Sequence, residues 1–163
     1  MMTDRFSEDL ERLNVPAERA EMLALIPVCY VAWAEGAPSP RAARRVFRLA
    51  KHYAQAPDAD LRELVAPWLG APPRPETVSE ACHVLRRLAA APDEHGVTFD
   101  VLTTLPCHAE WVARADGNRV DAPQAVTSLQ AGALEQVGEW LTVDAGEPWA
   151  VVIRELAPSS AAA

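Results

Sequence analysis

The stretch SPRAARRVFRLAKHYAQ, Ser39 to Gln55, decides the fold class. Ala42, Val46, Leu49, Ala50 and Tyr53 recur every three or four residues, the spacing that gathers side chains on one side of an α-helix. Arg41, Arg44, Arg45, Arg48, Lys51 and His52 fill the opposite side. Ser39 is a good N-cap, and Pro40 suits the first helical position, where its missing N–H is not needed. The pattern predicts a helix over Pro40–Gln55.

The same period runs outward in both directions, and strand-like alternation bounded by hairpin residues is absent. A first helix is expected over Thr3–Leu13, with Phe6, Leu10 and Leu13 inward. Asn14 and Pro16 read as the start of a second helix reaching Ala34. That helix is apolar nearly all round, as a central helix must be, and Pro27 is expected to kink it. Downstream, helices are expected over Pro57–Leu69, Thr77–Ala91 and Thr98–Ala115, the last containing Pro106. Asp121 and Gln124 read as a capping box opening a helix through Val126 and Leu141, and Glu147–Leu156 reads as a final helix. The expected fold is all-α: a compact bundle of seven or eight helices in one domain, residues 1–157. The proline-rich GAPPRPE of Gly70–Glu76 separates two possible halves, 1–70 and 76–157, and residues 158–163 read as a flexible tail.

Composition narrows the function. The 163 residues suit one domain, and half are hydrophobic, enough for one core. A net charge of -8 and a pI near 5.0 disfavour unselective binding to nucleic acid or anionic membrane. Three cysteines without close pairing, and an N-terminus with no apolar leader, suit a reduced, cytoplasmic protein. The longest apolar run, Met22 to Ala34, is shorter than the ~20 residues a membrane span requires.

The two halves echo each other. IPVCYVAWAEGAPSPRAARRV begins at Ile26, and LPCHAEWVARADGNRVDAPQAV begins at Leu105. Each holds an apolar helix with an internal proline, an acidic-Gly break and a capped restart. Each half later reaches a Trp-Leu pair, at Trp68-Leu69 and Trp140-Leu141. Ala115-Asp116-Gly117 followed by Asp121-Ala-Pro-Gln124 resembles the A-D-G break and capped restart of the TerB-like family, named for tellurite resistance. Ala34-Glu35-Gly36 with Ser39 looks like a degenerate copy. The resemblance implies a compact helical fold and a role in assemblies or stress response. It also implies a divalent cation held by acidic helix-junction residues, here Glu35, Asp116 and Asp121. Gln124 and Ala42 stand where the family pattern expects carboxylates, which depletes that site.

No catalytic constellation is legible. The sequence lacks a nucleophile elbow, a Walker loop and a dinucleotide fingerprint. Cys82-His83 and Cys107-His108 lack the spacing of a zinc site and read as structural. The tryptophans read as layers between helices. The feature with the most functional content is the cationic side of Pro40–Gln55, because like charges one turn apart repel and no acid on that helix offsets them. Asp58, Asp60 or Glu63 nearby could supply the counter-charge within the fold. Otherwise Arg41, Arg44, Arg45, Arg48 and Lys51 form a docking face. Guanidinium forks suit carboxylates and phosphates, and with the chain acidic overall the expected partner is an acidic protein surface or a second copy of the chain. The reading is a non-catalytic scaffold module without a cofactor. The alternative is a stress protein responsive to a divalent cation.

Overall fold

The computed structural model describes residues 2–90, 99–116 and 127–141. The protein is all-α, and among the described residues there is no strand. We number the helices α1 (Met2–Arg12), α2 (Leu25–Ala32), α3 (Pro40–Tyr53), α4 (Asp58–Gly70), α5 (Pro75–Ala89), α6 (Phe99–Asp116) and α7 (Ser128–Leu141), with a 3-10 segment over Ala17–Ala24. Among the described residues no helix is long and apolar enough to cross a membrane.

Helix α2 is the axle. Seven of its eight residues are buried, so it must be surrounded, and the 3-10 segment and α3 to α7 all touch it. Its most extensive packing is against α6, its counterpart in the sequence echo. Leu102, Leu105, Ala109, Val112 and Ala113 make the buried side of α6. The exception on α2 is Tyr30, whose hydroxyl donates to Gln136 Oε1 of α7 at 2.6 Å while its ring lies 5.5 Å from that of Trp140. At the end of α2, Trp33 Nε1 donates to the Trp68 carbonyl at 3.0 Å, which ties α4 to the core.

Three local readings are corrected. The second helix is not one continuous rod kinked at Pro27. Residues 17–24 form a 3-10 segment, and α2 begins at Leu25, so Pro27 sits in a first turn. A proline there gives up no α-helical hydrogen bond, because first-turn N–H groups have no acceptor within their own helix.

Asn14 does not cap the start of the next helix; it ends α1. Its φ is 59°, the left-handed region that asparagine tolerates. The Asn14 N–H reaches the Glu11 carbonyl at 3.0 Å and the Val15 N–H reaches the Leu10 carbonyl at 2.9 Å. That pair of bonds is a Schellman motif, and Leu10 and Val15, both buried, supply its apolar contact.

The start of α7 is also elsewhere. Asp121 and Gln124 lie outside the described residues, as does Glu147–Leu156, and α7 is opened by Thr127. The Gln130 N–H donates to Thr127 Oγ1 at 3.2 Å, and the Thr127 N–H donates to Gln130 Oε1 at 3.1 Å, a reciprocal capping box. The other side-chain end, Gln130 Nε2, donates to the Ala113 carbonyl of α6 at 3.1 Å. Gln130 is fully buried and thus caps the start of one helix and the end of another.

Candidate cationic docking face

Helix α3 forms as expected. Ser39 Oγ accepts from the Ala42 N–H at 3.1 Å, Pro40 opens the helix, and Ala42, Val46, Leu49 and Ala50 are buried. With the apolar side held by the core, the cationic side faces outward along α6 and α4.

The five cations of that side have different employments. Arg45 is half-buried; its guanidinium sits 4.9 Å from the centre of the Trp111 ring and donates to the Trp111 carbonyl at 2.5 Å. It therefore clamps α3 to α6, combining a cation–π contact with a charge-assisted hydrogen bond. Lys51 lies 3.2 Å from Asp58 of α4 and 5.5 Å from the Phe47 ring, over which Arg62 also sits at 5.2 Å. Both members of the Lys51–Asp58 pair are exposed, so the pair adds little stability. Arg44 donates through Nε to the Pro40 carbonyl of its own helix at 3.2 Å. Arg41 and Arg48 are exposed and have no hydrogen-bond or ion-pair partner among the described residues. Three guanidinium groups thus face outward at 41, 44 and 48, along about 10 Å of a rigid helix.

At the C-terminal end of α3, sequence reasoning missed a cluster. Tyr53 Oη lies 2.5 Å from His108 Nδ1 of α6, and the His52 ring lies 5.5 Å from the His108 ring, edge to face. Burial pushes the Tyr53 phenol above its ordinary range, so it stays protonated and can donate to His108 Nδ1 in the tautomer that leaves that nitrogen bare. Burial, and secondarily the charge of His52, lower the pKa of His108. The signal for this cluster in the sequence was two dipeptides, His52-Tyr53 and Cys107-His108. Nothing in their spacing says that the helices bring them together.

The lowered His108 pKa has a measurable consequence. The unfolded chain takes up the proton at a higher pH than the folded chain. Stability is therefore fully present above the unfolded value of about 6.5 and is lost as the pH falls from there through the folded pKa. Urea midpoints measured between about pH 7.5 and 5 should decline, and His108→Gln should flatten that decline. An equally steep decline in the variant would assign it to other groups.

The three cysteine thiols are all held away from the reactive thiolate form. The Cys29 and Cys82 thiols are buried and pushed up to about 12. Cys107 is exposed, yet partial desolvation and then the charge of Glu110 raise its pKa too. The thiolate is the reactive form, so none of the three is activated. Of the acidic set suggested for a cation, Glu35 is exposed in the loop after α2, Asp116 is the last residue of α6, and Asp121 lies outside the described residues. Among the described residues no group of three or more His, Cys, Asp or Glu is placed to hold a metal ion. Trp33 and Trp111 are committed to the Trp68 carbonyl and to Arg45 respectively. No family model, curated protein or solved structure matches the chain.

Proposed function

We propose that the protein is a non-catalytic interaction module of a TerB-like type that docks an acidic protein surface on the outward side of α3. One observation carries the reading. Arg41 and Arg48 are exposed without partners among the described residues, on a helix whose inner side is buried and whose flank is clamped by Arg45. Holding like charges in one row costs free energy that a row of carboxylates returns as charge-assisted hydrogen bonds. A rigid helix also avoids the ordering cost that a flexible basic loop incurs on binding.

The test is fluorescence anisotropy with a labelled decaaspartate peptide at low salt. The protein carries a net charge of -8, so long-range repulsion opposes this association, and binding reports a local cationic surface. Arg44→Glu/Arg48→Glu should weaken binding by about tenfold or more, and added salt should weaken it in the parent protein. Unchanged affinity in the doubly reversed variant, with its helical circular dichroism intact, would overturn the reading.

A further inference from the structure

We propose that Arg48, His52 and His108 together form a proton-gated carboxylate site within this face, so that an acidic partner docks more tightly as the pH falls. The inference rests on the docking reading above and assigns it a regulation. Arg48 and His52 are both exposed and stand one turn apart on α3, the separation at which two side chains reach a common ligand. His108 adds a second imidazole from α6, 5.5 Å from the first. Two imidazoles and a guanidinium, contributed by two helices, converge where only the guanidinium carries a permanent charge.

A proton on His108 brings positive charge up against the His52 ring, which burial and that neighbour resist in the fold alone. A carboxylate bound against the two rings offsets that resistance, so proton uptake and anion binding favour each other by the same factor. Tyr53 permits both states of His108: its hydroxyl donates to the neutral ring, and its oxygen can accept from the charged one.

The surroundings leave the pair free to respond. Among the described residues the polar and ring contacts of His108 are those to His52 and Tyr53. On α3, Arg45 is held at Trp111 and Lys51 at Asp58, while on α4 Arg62 lies over the Phe47 ring and Asp60 and Glu63 make no contact with His108. On α6, Glu110 and Arg114 pair with each other at 2.7 Å, and the helical turn places Glu110 on the side away from His108. Helix α2 carries no charged side chain, and the charged groups of the 3-10 segment, α5 and α7 make no contact with His108.

Anisotropy with the decaaspartate probe at about pH 7.5 and 5.5 tests this, because the probe stays ionised across that window and any gain at the lower pH reports proton uptake by the protein. The parent protein should bind about tenfold more tightly at the lower pH. His52→Gln/His108→Gln should lose most of the gain between the two pH values. His52→Gln alone, at an exposed position that the fold does not require, should lose part of it, and His83→Gln on α5 should lose none. A gain that survives in the double variant overturns the gating and leaves the docking face standing. No binding to the parent at either pH overturns both.

Discussion

Replacing Gln130 with leucine is expected to lower stability by about 2–4 kcal/mol, a fall in Tm of about 5–15 °C. Leucine nearly matches the volume, so the loss measures hydrogen bonding and not a cavity. The glutamine side chain serves the Thr127 N–H with its oxygen and the Ala113 carbonyl with its nitrogen. Leucine leaves both groups unpaired where Gln130 now excludes water. Thr127→Ala, which removes a single capping bond, should cost about 1 kcal/mol. Thermal unfolding of the three proteins checks the order. Equal effects at the two positions would mean that Gln130 acts only as half of a capping box and does not join two helices.

Leu105→Ala is expected to cost about 3–5 kcal/mol, the largest effect of any single substitution considered. Leu105 is fully buried on the side of α6 that packs among α2 and its neighbours. The adjoining Leu102, Ala109 and Val112 are already fully packed and cannot swing in to close the gap. Leu129→Ala is the control, since Leu129 is 60% exposed and its truncation should stay within about 0.5 kcal/mol. Urea unfolding with a common slope compares the two. A loss at Leu105 no greater than at Leu129 would show that the α2–α6 contact does not hold the core.

Much of the helical layout was legible because it follows from period and capping chemistry, both local. Ser39-Pro40 opens α3 where the residue types say it should, and the buried positions of α3 are those its spacing selects. The misreadings arose where one residue type serves two opposite ends. Asparagine both caps a helix start and accepts the left-handed φ that ends one, and Asn14 does the second. Asp121-Gln124 and Thr127-Gln130 are equivalent capping boxes on paper, six residues apart. What sets Thr127-Gln130 apart is that Gln130 finds the end of α6, a tertiary contact. Pro27 reads as the middle of a long helix, and not the first turn of a shorter one, because the apolar run hides the change to 3-10 geometry before it. The outward arginines were visible as a stripe. That Arg45 is a clamp, and that His52 meets His108, are facts of helix packing across more than fifty residues, which no local pattern encodes.

The burial of α2 also bears on synthesis. At about 5–20 residues per second, its apolar residues leave the ribosome several seconds before α6, about 70 residues later, arrives to cover them. Through that interval the nascent chain carries a short hydrophobic segment with only its upstream neighbours, and then α3 to α5, to shield it. The helix that ends as the best protected part of the molecule is thus its most exposed liability during translation. It is the segment at which a chaperone would first be needed.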